Sequence, residues 1–413
     1  MTAPPRAAQG PGYQILLAAL LSINFGIVFF DRNALNFLMP FVQPELRLNN
    51  TQVGILAGAL SFTWAAAAFL IGMVSDAWGS RKGLLVLATL AFSACSFATG
   101  LAGSFLVMLG ARLLMGAAEG GIMPISQSLI ASEVAPRHRG LAMGVTQNFG
   151  SNLLGSFVAP VLLVAFARTF GWRHAFFLAG VPGIVSALLM WRLVREPSTL
   201  SAQDSGGQQR WTLRQALGER NVLICALLGV LLVSYLVICW VFMPLYLTQV
   251  RHYDTQTMGW LMGTLGISAT VGAFAISALS DRIGRRPLMI ATPLIGITLP
   301  LGAMFFQGSV WILAGIFFVG WSVNGIFPLF MATVPSESVD PRHTATVLGV
   351  CMGTGEILGG VLAPFVAGNA ADRTGLAAPL LIMIGLAVAA GLLSIGLWET
   401  APRVLARRAA QTA

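Results

Sequence analysis

Twelve stretches of this 413-residue chain are long and apolar enough to cross a lipid bilayer. They lie near residues 13–42, 51–75, 83–103, 105–131, 140–167, 173–195, 221–249, 256–280, 287–306, 309–335, 343–370 and 376–399. A spanning helix needs about 20 mostly apolar residues. Inside hydrocarbon each backbone N–H and C=O must be bonded within the structure, and a helix does this by itself. The sequence therefore predicts an all-α membrane protein with twelve transmembrane helices. Composition agrees: 56% of residues are hydrophobic and only 9% are charged, against about a quarter charged in soluble domains.

The formal charge of +9 would suggest nucleic acid in a soluble protein. Here the placement of the charges excludes that reading. Of the 24 Lys and Arg residues, Arg32 and Arg112 lie within apolar stretches. Five more (Arg47, Arg168, Arg173, Arg251, Arg373) fall in one set of loops, and the other 17 fall in the opposite set and the termini. This is the positive-inside asymmetry, and it predicts that both termini are cytoplasmic. The short N-terminus, with Pro4, Pro5 and Arg6, leads into an apolar run too long for a signal-peptide core, so an uncleaved first helix is expected. The Arg-rich, Lys-poor composition fits a GC-rich bacterial genome and points to a bacterial inner membrane.

Cys95, Cys225, Cys239 and Cys351 all sit in apolar stretches without metal-ligand spacing, so small buried hydrophobes are expected rather than disulfides or a metal site. No phosphate-binding loop, serine elbow or zinc-binding H-E-x-x-H occurs. Nothing calls for a cofactor, direct ATP drive or an enzyme.

The longest polar interruption runs from Arg195 to Arg220 and contains Ser201–Gln209, a flexible linker by composition. It divides the chain into residues 1–195, a linker at 196–220, and residues 221–413 with a short basic tail (Arg403, Arg407, Arg408). The two parts look like repeats. Val134–His138 (Val-Ala-Pro-Arg-His) matches Val339–His343 (Val-Asp-Pro-Arg-His) at an offset of 205 residues, and Asp76 matches Asp281 at the same offset. Two pseudo-symmetric six-helix bundles with a site between them near the midplane are a transporter arrangement.

Two loops reinforce this. Gly72–Met–Val–Ser–Asp76–Ala–Trp–Gly79–Ser–Arg81–Lys82 follows the second span, and Ser277–Ala–Leu–Ser–Asp281–Arg282–Ile–Gly284–Arg285–Arg286 follows the eighth. Glycine lets helices approach and turns the chain tightly, and aspartate can face an arginine or a helix N-terminus. Both loops resemble the signature G-x-x-x-D-R/K-x-G-R-R/K of the major facilitator superfamily. The resemblance implies the major facilitator fold. It also implies that Gly72, Asp76, Gly79, Arg81, Asp281, Arg282, Gly284 and Arg285 form a cytoplasmic conformational latch. The first copy departs from the pattern at Ala77 and Ser80, the second at Ser277.

The interior charges bear on function. Asp31–Arg32 stands between the charge-free runs Tyr13–Phe30 and Asn33–Val42. Ionised groups at that depth cost several kcal/mol unless they face a protein interior or a watery path. In the fourth span, Arg112 and Glu119 are seven residues apart on one helix face, about 10 Å along the axis. Burial favours the neutral acid and a nearby arginine favours the ion, so Glu119 can couple a proton to a conformational change; a structural Arg–Glu pair is the alternative.

These residues resemble the anion:cation symporter family within the superfamily, whose members carry sugar acids, aromatic acids and other organic anions with protons or sodium. The resemblance implies that Asp31 and Glu119 are proton-coupling carboxylates, that Arg32 contacts the substrate carboxylate, and that Arg112 supports the site. It implies proton-coupled uptake of an organic anion by alternating access, by a chain expected to work as a monomer in the bilayer. Spinster-like lysolipid transporters share the first-span Asp–Arg pair and a similar fourth-span pattern. Proton-driven drug export is disfavoured because the fifth span lacks the exporters' Gly–Pro.

Glu356, in the eleventh span, brings the interior to three acids and two bases. Either it belongs to the binding site, with an acid protonated or a zwitterionic ligand, or it bonds a neighbouring backbone. Gln147, Asn148, Ser151 and Asn152 form a polar stripe at helical spacing in the fifth span; with Asn324 in the tenth they are candidates to line the substrate cavity, the alternative for each being a helix–helix hydrogen bond. Asn24 and Tyr235 are expected to bond helix to helix, and Trp240 and Trp321 either to stack on a ring or to pack.

Overall fold

The computed structural model describes residues 10–78, 81–196, 213–340 and 343–412, with the side chains at 69–78, 136–137, 140, 213, 345, 407–409 and 411–412 left out. Gly79, the linker Ser201–Gln209 and the Pro341–Arg342 part of the repeat lie outside the described residues. The side chain of Asp76 does too, as does the environment of Gly72.

Twelve helices are long and apolar enough to span a membrane. In chain order they are α1 Pro11–Leu46, α2 Asn50–Trp78, α3 Arg81–Gly100, α4 Phe105–Glu133, α5 Leu141–Phe170 and α6 Trp172–Leu193. The second bundle holds α7 Arg220–Val250, α8 Thr255–Ile283, α9 Arg285–Phe305, α10 Val310–Glu337, α11 Thr346–Thr374 and α12 Ala377–Ser394. Every expected span is present. A short helix, Leu213–Gly218, precedes α7, and the basic tail forms another, Pro402–Thr412.

The repeat is legible in the irregularities. In α5, residues Ser151–Val158 bond i→i+5 as π-helix; in α11, Gly355–Leu362 do the same, at the 205-residue offset within one position. In α4 regular bonding lapses after Glu119, at Gly120 and Gly121; in α10, Trp321–Ile326 tighten into a 3₁₀ turn centred on Asn324, the repeat-mate of Glu119. Such lapses free backbone groups in the apolar zone and are characteristic of functional sites.

The contacts that join the two bundles lie at the end opposite the chain termini. There α2 packs on α11 so closely that a Cβ built on Gly54 would lie 2.1 Å from the Pro364 carbonyl oxygen. On the other side α8 packs on α5, where a Cβ on Gly266 would lie 2.5 Å from the Ser156 carbonyl carbon. Glycine is the residue that permits this approach. Between them α1 meets α7, with Phe37 edge-on to Trp240 at 5.6 Å and Gln249 Nε2 donating to Gln43 Oε1 at 2.8 Å.

Polar clasps close the same end. Asp372, near the C-terminus of α11, caps the N-terminus of α2: Asn50 N–H donates to its Oδ1 at 2.8 Å, and Thr51 N–H and Oγ1 donate to Oδ2 at 2.8 and 2.5 Å. At the repeat-related junction Arg168 of α5 donates to Gln256 of α8 at 2.7 Å.

At the termini end, polar bonds join helices of the same bundle. Arg285 donates to Asp281 at 2.6 Å, to Glu337 at 3.0 Å and to Ser280 at 2.5 Å. Gly284 turns with φ +120°, a conformation only glycine adopts without strain. Glu399 accepts from the Arg285 and Arg286 N–H groups at the start of α9, as Glu196 accepts from those of Arg81 and Lys82 at the start of α3. Asp281, Gly284 and Arg285 thus hold α8, α9 and α10 together within the second bundle; Arg282 is exposed.

Candidate functional site

Consecutive residues of a helix point about 100° apart, and this separates Asp31 from Arg32. Asp31 turns into the first bundle, 0% exposed, where its Oδ1 lies 2.7 Å from Ser96 Oγ of α3. Arg32 turns towards α2, its guanidinium carbon 5.2 Å from the Trp64 ring centroid and 5.5 Å from that of Phe29. Stacking on ring faces holds the cation while leaving its in-plane N–H donors for a ligand. No hydrogen bond or ion pair engages that guanidinium among the described residues, and the side chain is only half-buried.

Arg112 and Glu119 are each 1% exposed. Arg112 Nη1 donates to the Arg32 carbonyl oxygen at 3.3 Å and contacts Met115 Sδ at 3.3 Å, while Nε and Nη2 have no partner among the described residues. It therefore positions the backbone that carries Arg32 and is not placed to touch a ligand directly. Both carboxylate oxygens of Glu119 and Oδ2 of Asp31 are likewise without partners. Glu119 reaches this place because α4 lies against α2: a Cβ on Gly120 would be 2.5 Å from the Trp64 carbonyl oxygen, and one on Gly116 would be 2.3 Å from that of Leu60. Trp64 is thus the shared neighbour of the α4 turn that carries Glu119 and of Arg32. Nothing in the sequence marks Trp64 out, since an aromatic in an apolar span is ordinary.

Ser96 constrains the proton inventory. Its Oγ lies 2.7 Å from Asp31 Oδ1 and 2.9 Å from the Phe176 carbonyl oxygen. A hydroxyl has one proton to donate. If that proton goes to Phe176, the short contact to Asp31 is a hydrogen bond only when Asp31 itself carries a proton and donates it. If Asp31 is ionised, Ser96 turns to it, and the Phe176 carbonyl keeps only its bond within α6. The Ser96 hydroxyl thus has two acceptor positions open to it, Asp31 and the Phe176 carbonyl.

The other predicted residues fall as follows. Glu356 lies in the π-helical part of α11, half-buried, without a hydrogen bond among the described residues. Asn324 is half-buried in the 3₁₀ turn of α10. Along α5, Gln147 is exposed, Asn148 donates to the Gly144 carbonyl of its own helix at 3.2 Å, and Ser151 donates to the Gln147 carbonyl at 2.7 Å. The π-helical bonding there departs from the α-helical spacing behind the expected stripe. Asn24 accepts from Ser186 at 2.9 Å and Tyr235 donates to the Gly296 carbonyl at 2.7 Å, which are helix–helix bonds. Trp240 and Trp321 pack on one another at 5.2 Å.

The arrangement has a stacked, unpaired cation at the interface of two bundles. Behind it is a buried cluster of one cation, Arg112, and two carboxylates, Asp31 and Glu119, all incompletely satisfied among the described residues. The sequence pattern of the Major Facilitator Superfamily matches residues 21–364 and 240–412. The chain belongs to the Major Facilitator Superfamily. It is similar to the "Probable sulfoacetate transporter SauU" of Cupriavidus necator, 26% identical over 87% of this chain and 88% of that one. It is also similar to the hexuronate transporter of Bacillus subtilis, 27% identical over 89% and 90% of the two chains. Among solved structures it shares its fold with a bacterial homolog of the human lysosomal transporter Spinster in an inward-facing, unoccupied conformation. That match has a TM-score of 0.72 at 18% identity and covers 94% of this chain and 96% of the other. The facilitator fold explains why the repeat-related breaks of α4 and α10 and of α5 and α11 occur in pairs. Its relatives named above carry organic acids.

Proposed function

We propose that this chain is a secondary transporter that takes up a small organic anion together with protons, by rocking of its two six-helix bundles about a central site. The observation that carries the reading is Arg32, a cation held by two aromatic rings with its donors unengaged, beside buried carboxylates without partners. A carboxylate is the natural occupant of such a fork.

Coupling follows from the same geometry. A buried carboxylate without donors must either carry a proton or gain a partner. In the conformation described here, Glu119 has neither oxygen paired. Asp31 has its Oδ1 bonded to Ser96 and its Oδ2 buried without a partner among the described residues. Loading protons on these acids removes charge from the first bundle and leaves Arg32 free to hold the anion. Release of both on the other side restores the ions. The close approaches of the bundles, Gly54 on Pro364 and Gly266 on Ser156, lie at the end opposite the termini. With cytoplasmic termini, this is the inward-open state, in which Arg32 is reached from the cell interior. Two relatives whose names specify organic acids support the substrate class.

The test is a thermal-shift screen of purified protein against sugar acids, aromatic and aliphatic acids, sulfonates, cationic drugs and lysolipids at pH 5.5 and 7.5. The reading predicts stabilisation by one acid class, stronger at pH 5.5 and abolished by Arg32→Ala. Stabilisation by drugs or lysolipids alone, or by acids equally in Arg32→Ala, would reject it.

A further inference from the structure

Glu356 is the one acid that the second bundle brings to the central region, and the proposed cycle does not use it. Its backbone is fixed from behind. Gly355 packs on α7, where its Cβ would be 3.2 Å from the Gly229 carbonyl carbon, and a Cβ on Gly359 would be 2.8 Å from the Val230 carbonyl oxygen. Its carboxylate lies forward. The point that a Cβ on Gly360 would occupy is 3.1 Å from Glu356 Oε2 and 3.5 Å from Cβ and Oγ of Ser61 in α2. Ser61 is one helical turn before Trp64, the ring on which Arg32 stacks. Glu356 of one bundle and Arg32 of the other therefore flank the same strip of α2. Yet the two do not pair: the ion pairs formed among the described residues are elsewhere. Glu356 has no hydrogen-bond donor in its place.

An acid and a base that lie beside the same strip of α2, neither with an ion pair or hydrogen bond among the described residues, are matched to a molecule with both kinds of end. A half-buried carboxylate with no donor carries an uncompensated desolvation penalty, which a ligand hydroxyl or amino group relieves by a charge-assisted bond. An apolar group in the same place would leave the penalty standing, so the discrimination is large and works against the wrong ligand.

We propose that Glu356 determines specificity by accepting a hydrogen bond from a hydroxyl or amino group of the substrate, whose acid group lies on Arg32. The substrate class is then a hydroxylated or amino-substituted organic acid rather than a plain alkyl or aryl carboxylate. This rests on the reading of Arg32 as the anion contact. It also gives the second bundle its grip: a ligand held by Arg32 at one end and Glu356 at the other bridges the bundles that have to move.

The experiment is equilibrium binding by the purified full-length protein to pairs of acids that differ only in donor groups. The pairs are gluconate and hexanoate, 3-(3-hydroxyphenyl)propionate and 3-phenylpropionate, and 4-aminobutyrate and butyrate. Parent, Glu356→Gln, Glu356→Ala and Arg32→Ala are compared. In at least one pair the donor-bearing acid binds the parent more tightly. Glu356→Ala weakens that acid roughly 10- to 100-fold and leaves its plain partner unchanged or tighter. Glu356→Gln, which keeps an accepting oxygen and the side-chain volume, falls between. If no pair shows a preference, or if both members respond alike to Glu356→Ala while still depending on Arg32, the inference is overturned and the anion reading stands. If no acid depends on Arg32, both are overturned.

Discussion

Asp372→Ala removes the carboxylate by which α11 caps α2 across the bundle interface. Three donors lose their acceptor: the N–H groups of Asn50 and Thr51, at 2.8 Å each, and Thr51 Oγ1 at 2.5 Å. An N-cap contributes about 0.5–2 kcal/mol, and a negative charge at a helix N-terminus about 0.3–1 kcal/mol at an exposed site. Asp372 is exposed, so water replaces part of the loss, and a net effect of about 1–2 kcal/mol is reasonable. The clasp exists only while the two bundles are closed at this end. Its loss therefore acts on the conformational equilibrium and not on each bundle alone. A shift of about 1–2 kcal/mol changes the ratio of the two states roughly 5- to 30-fold. Spin labels at the exposed positions Arg47 and Arg373 read the separation of α1 and α11 at that end. Pulsed dipolar spectroscopy in nanodiscs is expected to show a longer-distance population growing in Asp372→Ala, and less so in Asp372→Asn. Thr51→Ala added to Asp372→Ala should have little further effect, because the pair acts as a unit. Distance distributions identical to the parent would refute the clasp, as would a fall in melting temperature without any change in distances.

Other substitutions test separate parts of the account. Glu119→Gln is expected to abolish uphill uptake driven by a proton gradient while exchange across proteoliposomes remains measurable; normal uphill uptake would remove Glu119 from coupling. Ser96→Ala deletes the hydroxyl bonded to Asp31, so the pH dependence of acid binding should move while affinity at its optimum changes less than about tenfold, the worth of one hydrogen bond. Gly54→Ala places a Cβ 2.1 Å from the Pro364 carbonyl oxygen, so closure at that end should be blocked and the labels described above should report the open state there. Arg285→Ala leaves Glu337 and Asp281 without their shared cation and should lower the melting temperature by several degrees, with binding at the central site little altered.

Hydropathy made the twelve spans and the repeat legible, because lipid leaves a spanning segment little choice of backbone. Charges within the spans disclosed Asp31, Arg32, Arg112 and Glu119 for the same reason. The sequence did not disclose what those residues touch. Ser96 and Trp64 are an ordinary serine and an ordinary aromatic until α3 and α2 are packed on α1. Asp372 is separated from the helix it caps by more than three hundred residues, and Glu196 and Glu399 cap helices from more than a hundred residues away. The π-helical turns of α5 and α11 leave no mark on hydropathy. The loop motif pointed to a conformational latch but not to its partners, among them Glu337 of α10, which its second copy bonds through Arg285.

Proton movement measured together with acid binding tests the central claim most directly. Purified protein in proteoliposomes, with an internal pH dye, is given the acid that stabilises it best, with no proton gradient imposed. The account predicts that inward flow of the acid acidifies the lumen in the parent. It predicts that the signal disappears in Glu119→Gln while labelled acid still exchanges. Uptake of the acid with no movement of protons, or the same acidification in Glu119→Gln, would contradict it.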